Sequence, residues 1–208
     1  MKLYLSSYYL GSNPEKLKEV VSPGAKVAII SNAGDYKNED EKRQRWIDSQ
    51  IKEFTELGYT AEQLDLRDYF NGNQELLANK LSEYGMVWLT GGNSFLLRKA
   101  MRQSGFDKII SPMVMNNEIV YGGFSAGACV ATPTLHGIDK CDEPDLSVEK
   151  YDIETIWEGL GFVPFRIVPH YKSNHHETHL MDGVIEELER RSLPYKNLRD
   201  GEIIIINK

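Results

Sequence analysis

Glu118-Ile119-Val120-Tyr121-Gly122-Gly123-Phe124-Ser125-Ala126-Gly127-Ala128-Cys129 reads as a short apolar strand, Glu118 to Gly122, that meets a glycine-flanked serine and continues as a short helix. A strand that turns abruptly into a helix forces the corner residue into a strained backbone conformation, and bulky neighbours would collide there. Gly123 and Gly127 stand two residues to either side of Ser125, as a G-x-S-x-G elbow requires. Such a corner projects the serine oxygen from the sheet edge, and the N–H of Ala126 becomes a candidate donor to an oxyanion. The plain alternative is an idle serine on a tight turn. The strand before and the helix after favour a presented nucleophile.

Outward from this corner, strand-like and helix-like runs alternate, the pattern of an α/β protein built on a largely parallel sheet. Residues 2–8, Lys26 to Ser31, 60–66, Met86 to Thr90, Arg166 to Val168 and Glu202 to Asn207 read as further strands. Asn13-Pro14 opens a helix. A second helix runs from about 40 to 57, with Trp46, Ile47, Ile51 and Phe54 on one stripe and Gly58 ending it. Helices are also expected from Ser94, near 106–116 and over 174–191, whereas 134–165, rich in Asp, Gly and Pro, suits loops or a small hairpin. No repeat, linker or low-complexity tract divides the chain, so residues 1–208 are expected to form a single domain.

Gly91-Gly92-Asn93 also sits between a strand and a helix, where bare amides can approach an anion, and offers the second half of an oxyanion hole. Without the lysine and spacing of a phosphate loop, it does not suggest a nucleotide site. His170, in Val168-Pro169-His170-Tyr171, follows a strand at the sheet end where α/β folds hold ligands, and is the candidate general base. The acid that orients it is expected between serine and histidine, where Asp139, Asp142, Glu143 and Asp145 all qualify. His175-His176-Glu177-Thr178-His179 puts His175 and His179 on one face of the expected helix. The run is one residue short of H-E-x-x-H and shows no third ligand, so no metal is expected. Asn174 capping that helix, with polar residues at the site rim, is the simpler reading.

The 208 residues are 41% hydrophobic and 26% charged, enough for a packed core and unlike a disordered chain. A net charge of -7 argues against a nucleic-acid partner, whose binding needs a basic face. No apolar run approaches the roughly 20 residues of a membrane span, and the N-terminus is too short in its apolar part for a secretion signal. Cys129 and Cys141 make no disulfide framework and read as free thiols of a reducing cytoplasm, with Cys129 a small core residue.

Taken together, Gly91-Gly92-Asn93-Ser94-Phe95, Gly123-Phe124-Ser125-Ala126-Gly127-Ala128 with Pro133-Thr134 behind it, and Pro169-His170-Tyr171 resemble peptidase family S51, the aspartyl dipeptidases and their cyanophycinase relatives. These stretches span most of the chain in the family's order. The resemblance implies a three-layer α/β fold with a mostly parallel central sheet, similar to class I glutamine amidotransferases. It implies Ser125 as nucleophile, His170 as base, and the N–H groups of Gly92 and Ala126 as the oxyanion hole. The family's acid precedes a proline by two positions, which selects Asp142, with Asp139 and Glu143 as rivals. Asn93, Glu177 and His179 are the implied substrate-binding residues. His179 stands where the family has an arginine that receives the substrate's aspartate side chain. An imidazole is not a permanently charged fork, so the implied substrates widen from N-terminal Asp to other short peptides or altered amides.

The expected activity is hydrolysis of a short peptide through an acyl-enzyme, with no cofactor. An esterase with the same triad and a non-catalytic ligand-binding protein are the alternatives. Amidotransfer from glutamine would need cysteine where this chain has Ser125.

Overall fold

The computed structural model describes residues 1–37, 40–70, 72–152 and 154–208. Strand β1 (Lys2–Ser6) is followed by a 3-10 turn at Pro14–Glu19, β2 (Lys26–Ile30), helix α1 (Asp40–Glu56) and β3 (Thr60–Gln63). Then come α2 (Gln74–Leu81), β4 (Met86–Leu89), α3 (Ser94–Ser104), α4 (Phe106–Met115), β5 (Val120–Phe124) and α5 (Ala126–Cys129). The chain ends with β6 (Arg166–Val168), α6 (Met181–Arg190), β7 (Tyr195–Asn197) and β8 (Ile203–Asn207).

Six strands form one sheet in the order β3-β2-β4-β5-β1-β8. All neighbours are parallel except β8, which closes the edge antiparallel to β1. Successive side chains of a strand point to opposite faces, so a sheet buried on both sides needs continuous apolar strands. On one face Tyr4, Val27, Ile29, Met86, Trp88 and Phe124 pack with Phe54 of α1. On the other, Leu5, Ile30, Val87, Leu89 and Tyr121 pack with side chains of α2, α3, α4 and α6. Met86, Val87, Trp88 and Leu89 of β4 are all fully buried, each such side chain contributing about 1.5–3 kcal/mol. This is the three-layer, mostly parallel arrangement expected from the sequence. Among the described residues no helix is long and apolar enough to cross a membrane.

Three expectations need correction. β6 does not join the central sheet but pairs in parallel with β7, a strand not anticipated, in a separate two-stranded sheet. The helix expected from 174 begins at Met181, so His175 and His179 share no helical face and Asn174 caps nothing. Residues 74–81 form a helix for which the sequence had given no expectation. The strand entering the elbow runs over Val120–Phe124, two residues later than expected. Residues 134–165, apart from 153, hold only a 3-10 turn at Ile138–Lys140 and one bridge, Thr134 to Glu158.

Candidate active site

The carboxyl ends of β4, β5 and β1, three adjacent strands, carry Gly91-Gly92, Ser125 and Ser7 respectively. Ser125 adopts φ 48° and ψ -115°, a left-handed corner that costs a non-glycine residue about 1–3 kcal/mol. The corner is held from below by the Ser125 N–H donating to Ser6 O at 3.2 Å. It also requires close approach: a Cβ on Gly127 would lie 2.1 Å from the carbonyl oxygen of Leu89, and one on Gly123 2.8 Å from the same atom. The elbow therefore sits against the end of β4, and glycine is the only residue that fits at either position. Ala126 is the first residue of α5, so its amide has no acceptor within the helix.

Gly92 has φ 139°, and a Cβ there would come within 2.3 Å of Ala33 O. The turn is pinned by the Asn93 N–H donating to the same Ala33 oxygen at 2.8 Å. Gly91 packs against Phe124 and Ser125, where a Cβ would lie 3.3 Å from Cβ of Ser125. The two glycine turns thus meet at the serine.

His170 is buried, with φ 57°. Its Nδ1 lies 2.7 Å from Oδ1 of Asp200, in the turn before β8. The acid on the imidazole is therefore Asp200, which follows the histidine in sequence, and the expected Asp142 is engaged elsewhere. Ser7 ties the pair together: its hydroxyl accepts from the His170 backbone N–H at 2.8 Å and donates to Asp200 Oδ1 at 2.8 Å. The Asp200 N–H donates to Ser173 Oγ at 2.7 Å, and Thr178 Oγ1 donates to the His170 carbonyl at 2.7 Å. Imidazole and carboxylate are thus each fixed by their own backbone as well as by each other.

Asp142 accepts from the Ser94 N–H at 2.8 Å, at the first residue of α3. Burial pushes its carboxyl up to about 6, against the opposing pull of hydrogen bonds from Ser94. Its rivals are also accounted for: Asp139 accepts from the Gly137 N–H, Glu143 is exposed, and Asp145 accepts from Thr155. Asn93 is structural, its Oδ1 accepting from the Leu96 N–H as the α3 cap while its Nδ2 donates to Glu143 O. His179 is exposed, and neither it nor Asn93 lines the cleft that Ser125 and His170 share. Glu177 does line it, 3.9 Å from His170 Nε2.

Ser125 and His170 face one cleft, whose aromatic wall is Tyr8, Tyr9, Tyr36, Trp46 and Phe124. Tyr9 stacks on Phe124 with centroids 5.3 Å apart, and Tyr8 meets His170 edge-on at 5.9 Å. Tyr36, Lys37, Trp46 and Gly91 are shared with an adjoining cavity of about 640 Å³, a size suited to a small molecule. His175 lies flat on His170, centroids 3.6 Å apart. Phe124 stood in the elbow motif and Trp46 on the stripe of the expected helix, whereas Tyr8, Tyr9 and Tyr36 carried no sequence signal beyond being aromatic. Both cysteines are free, and burial pushes their thiols well above the ordinary range, which makes them poor nucleophiles.

A serine at a strained strand–helix corner, sharing a cleft with an imidazole that a carboxylate holds, is the side-chain set of the serine-hydrolase class. Within that class the chain belongs to peptidase family S51, whose model matches residues 6–208. It is 34% identical over 143 residues to Peptidase E of Streptomyces coelicolor, covering 66% of this chain and 54% of that protein. It is 30% identical over 154 residues to a Drosophila melanogaster protein named "Probable alpha-aspartyl dipeptidase", covering 69% and 61%. The matched region spans little more than half the length of the curated relatives. A crystal structure of a Listeria monocytogenes EGD-e protein shares the fold at a TM-score of 0.75 and 23% identity, over 100% of this chain and 98% of that one.

Proposed function

We propose that the chain is a serine peptidase that hydrolyses short peptides through an acyl-enzyme. Ser125 attacks the scissile carbonyl while His170 Nε2 takes the hydroxyl proton. The N–H groups of Gly92 and Ala126 hold the oxyanion, His170 passes its proton to the leaving amine, and water resolves the ester on Ser125. Asp200, on Nδ1, keeps the Nε2 lone pair free for the serine and stabilises the imidazolium that forms.

The observation that carries this reading is the His170–Asp200 contact at 2.7 Å beside a serine held at φ 48°. Family membership and the names of the relatives support peptide substrates. Lys37, on the cleft wall, is a cation able to receive a carboxylate of a short peptide, the role that the family resemblance suggests for His179.

The test is covalent labelling with a fluorophosphonate, followed by a screen of dipeptides with and without N-terminal Asp and of p-nitrophenyl esters. Labelling of Ser125 together with dipeptide turnover is expected. A folded protein that takes no label and cleaves nothing would overturn the proposal, and turnover of esters alone would replace the peptidase reading by an esterase one.

A further inference from the structure

The His175-His176-Glu177 run has no third partner in sequence order, but the fold supplies one. His170, His175 and Glu177 each bring one potential ligand atom to within 4.8 Å of the others. Glu177 Oε2 lies 3.9 Å from His170 Nε2 and 3.7 Å from His175 Nδ1. Two ligands on a tetrahedral zinc ion, with bonds of about 2.0 Å, stand about 3.3 Å apart. Glu177 and His170 therefore need to close by only about half an ångström. His175 must turn out of its stack on His170, because parallel rings cannot both aim their lone pairs at one ion. Opposing that rotation is a long hydrogen bond, 3.3 Å, from the Glu177 N–H to its Nδ1.

The surroundings suit a borderline cation. Asp200 behind Nδ1 of His170 is the carboxylate–histidine pairing that orients metal-bound imidazoles, and it leaves Nε2 with a lone pair toward the cleft. His176, exposed, has Nε2 3.5 Å from the other Glu177 oxygen and can reach the open side of the same ion.

We infer that the cleft binds one zinc-like divalent ion through His170 Nε2, His175 and Glu177, and that the ion switches the enzyme off. The inhibitory half rests on the function proposed above. It follows from a single lone pair: Nε2 cannot take the Ser125 proton while it is bonded to a metal. A hard cation such as Mg²⁺, which prefers oxygen ligands, is not expected to compete.

The test uses tag-free full-length protein after chelator treatment. Calorimetric titration of the Ser125→Ala variant with zinc chloride reads binding without any need for turnover, and one ion per chain is expected. In the same background Glu177→Gln and His175→Ala are each expected to weaken binding at least tenfold, with circular dichroism confirming the fold. In parallel, one bound equivalent of zinc is expected to lower dipeptide hydrolysis by the unmodified protein at least tenfold, and a chelator to restore it. Absence of stoichiometric binding by folded Ser125→Ala, or binding that neither substitution weakens, would overturn the site. Zinc bound without loss of activity would overturn its inhibitory role. A protein that binds zinc but cleaves no peptide would retain the metal site and lose the peptidase reading.

Discussion

Oδ1 of Asp200 sits between two donors, the ring Nδ1 of His170 at 2.7 Å and the hydroxyl of Ser7 at 2.8 Å. Asp200→Asn removes the charge that balances the imidazolium and favours the wrong tautomer, while keeping the shape. A fall in kcat of about 10²–10⁴ is expected for dipeptide hydrolysis. Asp142→Asn, made alongside it, is expected to lose far less. Equal losses in the two variants would undo the assignment of roles.

Ser7 is a positioning residue, reaching the chemistry only through His170 and Asp200. In Ser7→Ala the buried His170 N–H loses its acceptor, which costs about 1–3 kcal/mol of stability. The imidazole also loses a restraint, so kcat is expected to fall about tenfold with KM unchanged. Steady-state kinetics and urea unfolding on the same preparation check both parts, and a change confined to KM would contradict them.

Burial holds the Asp142 carboxyl near 6 in the folded chain, against an ordinary value of 3.8. An acid whose folded pKa is raised binds more protons folded than unfolded between these values, so its contribution to stability declines as pH rises from about 4 to about 6. A tenfold difference in proton affinity is worth about 1.4 kcal/mol, giving a loss on the order of 3 kcal/mol across the window. Asp142→Asn has no such slope. Relative to the unmodified protein it is expected to gain stability between pH 4 and pH 6, read as a widening gap in urea midpoints. A gap that stays constant would show that Asp142 does not titrate there.

Methyl groups cannot be accommodated at the elbow. Gly127→Ala would drive its Cβ into the Leu89 carbonyl, and Gly92→Ala would do the same at Ala33 O while also straining φ. Each is expected to destabilise the protein by more than about 3 kcal/mol, and Gly24→Ala, with open space but a positive φ, by about 1–2 kcal/mol. Thermal melting of the three variants gives the order directly.

What could be read from the chain follows the range of the physics involved. Gly123-Phe124-Ser125-Ala126-Gly127 and Gly91-Gly92 were legible because a corner and a close approach are demands on neighbouring residues. His170 was legible as a polar residue at the end of an apolar run. Asp200 was not, because its partner lies 30 residues away, and Asp200-Gly201 before a strand carries only a turn signal. The expectation that the acid lies between serine and histidine then drew attention to Asp142. The late start of α6 has a local cause: Thr178 Oγ1 bonds the carbonyls of His170 and Ser173, and such side-chain bonds compete with the helical ladder. Arg166 to Val168 is apolar enough for either sheet, and its pairing with Tyr195–Asn197 is set by tertiary contacts alone.

Ser7 and Asp200 stand 193 positions apart in the chain yet share one proton. During synthesis the serine and the imidazole leave the ribosome well before the residue that orients the base. On the function proposed above, a nascent chain that has reached His170 holds a nucleophile with no competent partner, and hydrolytic capability arrives only when β8 pairs with β1.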